Sequence, residues 1–273
     1  MANKSIIIIG AGLAGLSAGC YARMNGYKTQ IFEMDTRPGG LCTTWQRKGY
    51  KVDACIEYWV GSGPGTNFYS FWEEVGAVQR RTIIHHEEWA RVEGEGGKVL
   101  IFYTDVDRLE QHMKELAPED TDVIEEFIEA ARAFVCFKDI PPKKAPELFG
   151  LIDGLKMMFT MSPYMKLMKK WGKISIQDFA QRFKNPFLRE AFSVNFFPSF
   201  ISMFAWLASL GMIQQKSAGY PVGGSLEIAR AIERRYLAWL FDLIIQHQFF
   251  LSSLKYYKIS LDLAYTTVHQ YWA

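Results

Sequence analysis

The feature that most constrains this chain is a run of four isoleucines, Ile6 to Ile9, that passes directly into Gly10-Ala11-Gly12-Leu13-Ala14-Gly15. A short β-branched apolar run suits a parallel strand buried on both faces, and the three glycines stand at G-x-G-x-x-G spacing. Gly10 serves the tight turn, Gly12 lets a pyrophosphate approach the backbone, and Gly15 lets the next helix lie close to the strand. The pattern predicts a helix from Leu13 to Asn25, its free N–H groups and positive dipole end facing an anion. Gly26 stops it. Thr29 to Phe32 reads as a second strand, and Glu33 closes it where a carboxylate meets the adenosine ribose hydroxyls and repels a 2′-phosphate. Glycines that serve packing alone are the plainer reading, but strand, glycines, helix stop and acid agree on a dinucleotide-binding βαβ unit.

Beyond the acid, Glu33-Met34-Asp35-Thr36-Arg37-Pro38-Gly39-Gly40 reads E-x-x-x-R-x-G-G. Here the sequence resembles the FAD-dependent amine oxidase and phytoene desaturase superfamily, most closely its carotenoid and retinoid oxidoreductase branch. The resemblance implies FAD as cofactor, held by Gly10, Gly12, Gly15, Glu33, Arg37, Gly39 and Gly40 with Thr43 or Thr44 nearby. For Arg37 the alternative is a solvated turn charge. Family members share a K-G-Y-x-x-D stretch, here Lys48 to Asp53, and a W-V-G-S-x-P-G loop, here Trp59 to Gly65. Glu57 to Gly65 is therefore expected to wall the flavin or substrate cavity, a surface loop being the alternative. The turn Gly219-Tyr220-Pro221-Val222-Gly223-Gly224-Ser225 also matches the family and places Gly223, Gly224 and Ser225 at that cavity. Its alternative is a plain helix cap, with Ser225 as N-cap of a helix from Leu226 to about Leu237. Glu57 and Ser225 are the polar catalytic candidates; no acid or base is compelled.

With about half of its 273 residues apolar, the chain can bury a sizeable core. A net charge of +2 and the lack of long like-charge blocks argue against nucleic acid. Cys20, Cys42, Cys55 and Cys136 have no C-x-x-C spacing and read as reduced thiols. With an N-terminus that runs straight into strand one, they point to a cytoplasmic protein. His85 and His86 lie side by side on an expected strand, whose neighbours point to opposite faces, so no metal site is expected.

Two strands, Thr82 to Val92 and Lys98 to Tyr103, are expected around a Glu93–Gly97 hairpin turn. Val106 to Leu116 has helical spacing, and Pro118-Glu119-Asp120 opens a helix to about Phe137, ended by Pro141-Pro142. From Lys143 to Lys173 Met157, Met158, Met161, Met165 and Met168 lie among Lys156, Lys166, Lys169 and Lys170. That mixture fits a greasy substrate portal or peripheral contact with a bilayer, and equally an ordinary amphipathic helix pair. Ser175 with Asp178 forms a capping box, and Asn185-Pro186 starts the next helix. The charge-free stretch between Glu190 and Lys216 is interrupted by Asn195 and Pro198; it is expected to line an apolar tunnel or dip into one leaflet rather than span a membrane.

The expected fold class is α/β: a Rossmann-like FAD-binding part at 1–104 including the hairpin, an inserted, largely helical α+β substrate part at 105–218, a glycine turn and returning helix at 219–237, and a divergent aromatic-rich tail at 238–273. The resemblance ends near residue 237, without the C-terminal half that completes the sheet in relatives. A truncated or frameshifted product, and a partner chain or oligomer that completes the fold, are both consistent with this, and uncovered apolar sheet edges follow. The leading expectation is an FAD-dependent desaturase or saturase that transfers hydride to or from a long apolar isoprenoid. Its rivals are a non-catalytic dinucleotide-binding remnant and an NAD-dependent dehydrogenase.

Overall fold

The computed structural model describes residues 4–53, 55–66, 68–136, 146–194, 198 and 200–238. The Pro141-Pro142 stop, residues 143–145, Asn195 and the tail from 239 onward lie outside them. In chain order the elements are β1 (Ser5–Ile9), α1 (Leu13–Met24), β2 (Lys28–Phe32), β3 (Thr44–Arg47), β4 (Tyr50–Asp53), β5 (Trp59–Val60), α2 (Tyr69–Glu74), β6 (Ile83–Ile84), β7 (Glu88–Glu93) and β8 (Val99–Tyr103). There follow α3 (Val106–Leu116), α4 (Thr121–Val135), α5 (Leu151–Trp171), α6 (Ile176–Ala180), α7 (Pro186–Ser193), α8 (Met203–Gln214), β9 (Ala218–Pro221) and α9 (Ser225–Ala238). The fold is α/β, as expected. The chain divides into two compact units, one of residues 4–57, 72–81 and 223–238, the other of 58–71 and 82–222.

In the first unit β1 and β2 pair in parallel, Ile6 opposite Thr29 and Ile9 opposite Phe32. Leu16 and Cys20 of α1 are buried, as are Ile228, Ala229, Ile232 and Tyr236 of α9. Gly19 allows this packing: a Cβ there would lie 2.8 Å from Ile31 Cδ1 and 2.9 Å from Tyr236 Cε2. The Tyr236 hydroxyl donates to the Thr29 carbonyl at 3.1 Å and accepts from Thr29 Oγ1 at 3.1 Å, so α9 is bonded to β2. Two-sided burial of β1 does not hold, because Ile7 and Ile9 are 65% and 72% exposed. Among the described residues β1 has one paired neighbour, β2. The uncovered apolar edge expected from the sequence is therefore present. β3 and β4 form an antiparallel ribbon whose two-residue turn, Lys48-Gly49, has positive φ at both positions, the geometry that matches strand twist.

The second unit holds the large core. Its centre is aromatic: the rings of Phe127, Phe192, Trp206 and Phe102 meet at centroid distances of 5.2 to 6.0 Å, several edge-on, the arrangement that quadrupoles favour. Leu100 and Phe102 of β8 are fully buried in this cluster, which is why the β7–β8 hairpin belongs with the helices and not, as expected, with residues 1–104. Helix starts are capped as the sequence predicts. Ser175 Oγ accepts from Asp178 N, and Asn185 Oδ1 accepts from the N–H groups of Phe187 and Leu188. Buried Asp120 accepts from Lys184 N and Asn185 N at 2.7 and 2.8 Å, which fixes the start of α7 against that of α4.

Three expectations are corrected here. The strand foreseen from Thr82 to Val92 breaks at His85–Glu87 into β6 and β7, because β6 leaves the hairpin and pairs with β9. Gly219-Tyr220-Pro221 is not a turn but part of β9, the centre of a β5-β9-β6 sheet in which Gly219 faces Trp59. Of the charge-free stretch, Met203–Gln214 forms α8, whose Met203, Trp206, Leu207 and Leu210 are fully buried, so this part is a core helix, apolar all round as burial requires, in place of tunnel or leaflet; Val194 and Phe200 before it are exposed, and 195–197 and 199 lie outside the described residues. Among the described residues no helix is long and apolar enough to cross a membrane, and no cluster of three or more His, Cys, Asp or Glu is arranged to hold a metal.

Candidate cofactor-binding site

The glycine loop of the first unit has the geometry that its sequence requires. Gly10 N donates to the Phe32 carbonyl at 2.7 Å, so the loop leaves β1 while still bonded to β2. Gly10 turns with φ +95°, a conformation that other L-residues resist. Gly12 is the N-cap of α1 in extended conformation, with no side chain to cap the helix. The first N–H groups of a helix have no partner within it, so this end presents donors and positive dipole charge.

Gly12 and Gly15 are glycines for different reasons. A Cβ on Gly15 would stand 2.0 Å from the Gly10 carbonyl oxygen, inside covalent-scale contact with rigid backbone. A Cβ on Gly12 would meet nothing within 4 Å. Among the described residues no packing excludes a side chain there, so Gly12 leaves open space in front of α1.

Glu33 turns toward this loop. Its Oε2 accepts from Ala11 N at 2.6 Å and its Oε1 from Asp35 N at 2.9 Å. A carboxylate has about four lone-pair sites, so two remain for sugar hydroxyls. The second glycine turn closes on the first: Gly39 N donates to the Ala11 carbonyl at 2.8 Å, and a Cβ on Gly40 would sit 3.5 Å from Gly12 Cα. Gly10, Gly12, Glu33, Gly39 and Gly40 thus come together at one loop. Arg37 is exposed; its backbone N–H bonds Asp35 Oδ1 and its Nε lies 3.9 Å from the same oxygen, the geometry of a solvated turn charge.

The other candidates have partners within the unit. Thr44 Oγ1 accepts from Leu226 N at 3.4 Å, and Thr43 N donates to the Leu41 carbonyl. Ser225 is fully buried, and both its backbone N–H and its hydroxyl donate to the Asp53 carboxylate. It therefore lies inside α9 rather than at its N-cap, and Asp53 at the end of β4 supplies the cap. Gly224 makes room for this: a Cβ would be 2.7 Å from Asp53 Oδ2 and 2.8 Å from Thr44 Oγ1. Gly223 faces the Glu227 side chain, 3.1 Å from where its Cβ would stand. Glu57, the other catalytic candidate, is exposed. Asp53, directly after Val52 at the end of β4, carries no local sequence sign that it caps a helix more than 170 residues later.

Cys42, in the turn after Gly40, is buried, and its Sγ lies 3.9 Å from Cys55 Sγ. Burial, then the Cys55 thiol and the Asp53 charge, push the Cys42 thiol up to about 12. It is a packing thiol, not a nucleophile at neutral pH.

Residues 8–75 match the NAD(P)-binding Rossmann-like domain family. The chain is 30% identical over 131 residues to a zebrafish (Danio rerio) protein named inactive all-trans-retinol 13,14-reductase, covering 46% of this chain and 21% of that one. It is 27% identical over 195 residues to a lycopene-forming phytoene desaturase of a Paracoccus species, covering 70% of this chain and 37% of that one. Among solved structures, an oxidoreductase from Methanosarcina mazei superposes with a TM-score of 0.47 at 20% identity, covering 86% of this chain and 49% of that one. The chain thus spans between a fifth and two fifths of the length of these two curated relatives. The superfamily resemblance read from the sequence is borne out by the family match and the two curated relatives.

Proposed function

We propose that this chain, similar over most of its described length to part of the phytoene desaturase and retinol reductase superfamily, is the dinucleotide-binding portion of an FAD-dependent oxidoreductase acting on a long apolar isoprenoid. The observation that carries the reading is the pairing of an open Gly12 in front of α1 with a Glu33 carboxylate held at the same loop. Bound flavin would supply the hydride chemistry. The residues of the chain bind and orient: the α1 N-terminus and the Gly39-Gly40 turn meet the diphosphate, and Glu33 takes the ribose hydroxyls. Arg37, 43% exposed at its side chain, is free to swing from Asp35 onto a phosphate. Gly223 and Gly224 shape the cavity through Asp53 and Thr44, and Glu57 is the polar group left exposed for a substrate role. The relatives' printed names support an apolar polyene substrate, met where the protein touches a membrane surface from the cytoplasmic side.

FAD is favoured over NAD by the Arg37-Pro38-Gly39-Gly40 turn packed on the fingerprint. The test is cofactor extraction from purified full-length chain, followed by reconstitution with FAD and with NAD in separate titrations. Flavin absorbance that survives gel filtration supports the proposal. Retained NAD in its place supports a dehydrogenase, and a protein that retains neither supports a non-catalytic remnant that needs a partner chain.

A further inference from the structure

The helix α5 is 21 residues long, yet only its last turns are held by the protein. Trp171 is buried and Leu167 packs against the core; the first half stands in water. Leu151, Ile152 and Phe159 are 90%, 81% and 70% exposed, and Leu148 just before the helix is exposed as well. At 3.6 residues per turn, Leu151, Ile152, Leu155, Met158, Phe159 and Met165 share one stripe about 140° wide, opposite the side that carries Trp171 and Leu167. Asp153 lies on that opposite side, where its carboxylate accepts from Gly150 N at 3.1 Å.

The same outward stripe changes chemistry along its length. Lys166 and Lys169 continue it toward the C-terminal end, Lys173 follows just past the Gly172 C-cap, and all three are exposed. Lys170 is bonded to Glu126 at 2.9 Å, which anchors that end to α4. One face is therefore apolar at the free end and basic at the held end. A helix that lies flat in an interface divides its two chemistries around its circumference; this one divides them along its axis. From Leu151 to Phe159 the axis covers about 12 Å, and Lys166 follows about 10 Å later, so a helix tilted with Leu151 lowest sets the apolar stretch in the interface and the lysines among the headgroups. Asp153 and Lys156 fall within the same length but off the stripe, so a side-on tilt keeps their charges out of hydrocarbon.

We infer that α5 beds the outward stripe of its N-terminal half, Leu151 lowest, in the interface of an anionic bilayer while Lys166, Lys169 and Lys173 meet lipid phosphates. A second copy of the chain fits less well. Parallel pairing along this stripe would set lysine against lysine, and antiparallel pairing would set lysine against Leu and Phe. The inference rests on the membrane contact proposed above and does not depend on the flavin.

The experiment is flotation of the full chain with vesicles of phosphatidylcholine alone and of phosphatidylcholine with about one third phosphatidylglycerol. The chain floats with the anionic vesicles, and added salt weakens that binding. Lys166→Gln/Lys169→Gln/Lys173→Gln lowers partitioning onto anionic vesicles by about 10²-fold and leaves that onto neutral ones unchanged. Leu155→Gln/Phe159→Gln lowers partitioning onto both by at least about tenfold. A parent chain that stays at the bottom of the gradient, or a Leu155/Phe159 variant that floats as well as its parent, overturns the inference. So does a lysine variant with undiminished anionic binding, or a parent that elutes as a dimer dissolved by the Leu155/Phe159 changes without floating. Flavin content is read on every sample, so failure to hold cofactor and failure to bind lipid are separate results.

Discussion

Glu33 Oε2 accepts the backbone N–H of Ala11 at 2.6 Å, which joins the end of β2 to the middle of the glycine loop across 22 residues. The contact holds the acid against the glycine loop. Glu33→Ala removes this bond and the one from Asp35 N as well as the ribose acceptor. FAD affinity, read by fluorescence quenching on titration, falls by about 1.5 to 3 kcal/mol, and Glu33→Gln recovers part of it. Unchanged affinity in both variants takes Glu33 out of the site.

Gly12→Ala and Gly15→Ala separate ligand space from packing space. At Gly15 the new methyl meets the Gly10 carbonyl oxygen at 2.0 Å, so the melting temperature drops by several degrees and the cofactor is lost as well. At Gly12 the methyl has open space around it, so the thermal transition of the ligand-free chain is kept while dinucleotide binding weakens. Equal melting losses in the two variants contradict the assignment.

Asp53→Ala leaves the N–H and hydroxyl of Ser225, a fully buried residue, without their acceptor. The expected cost is about 1 to 3 kcal/mol of stability, seen as a lower urea midpoint at unchanged slope. Asp53→Asn keeps one acceptor and loses less. A neutral Asp53→Ala result removes Asp53 as the cap of α9.

Thiol labelling at pH 7.5 separates the four cysteines by burial. Cys55 and Cys136 are exposed and react with iodoacetamide, whereas burial holds Cys20 up at about 11 against the opposing Arg235 charge and Cys42 up at about 12. Thiolate is the reacting form, so peptide mapping finds two modified positions in the native chain and four after denaturation. Rapid native labelling of Cys42 would mean that the Gly39–Cys42 turn opens.

Acid weakens the second unit first at its ion pairs. Lys114 above all, with Arg132 and against some burial, holds Glu110 below the usual carboxylate range. Burial by itself would raise Glu126, but Arg182 and Lys170 together outweigh it and bring it down. A carboxyl with a folded pKa below its unfolded value contributes stability that is present above about pH 4.3 and lost as pH falls through the folded value. Melting temperature therefore declines below about pH 4.3, and in Glu126→Gln the decline is shallower because one of the linked protons is gone. These pairs are largely solvated, so the effect is small at neutral pH.

What was legible in the sequence is what chain neighbours decide. The β1–glycine–α1–β2 unit with Glu33 at its end, the Ser175 N-cap and the Asn185-Pro186 helix start all lie within a few turns of their signals and agree with the structure; the Asp178 carboxylate takes the Ser175 hydroxyl in place of the backbone N–H that a capping box uses. Partners distant in the chain were not legible. Gly219-Tyr220-Pro221 has turn composition, yet it becomes a central strand because Trp59 and Ile83 reach it from either side. The isoleucine run implied two covered faces, a property of neighbouring strands and not of Ile7 or Ile9. Ser225 looked like a helix cap or a reactive hydroxyl until Asp53, 172 positions earlier, accounted for both its donors. At the glycine loop the different parts that the spacing assigns to Gly12 and Gly15 agree with the space around each, open at Gly12 and filled by the Gly10 carbonyl at Gly15.

The bond between Ser62 Oγ and Gly219 N spans 157 positions, and that between Thr29 and Tyr236 spans 207. On the ribosome, then, the early strands have no late partners to meet. At about 5 to 20 residues per second, the segment around Trp59 waits on the order of ten to thirty seconds for β9 to leave the exit tunnel, and α1 waits longer for the helix that covers it. A nascent chain therefore exposes its early strands for that interval, and synonymous codons that slow translation before Gly219 would lengthen it without altering a single side chain.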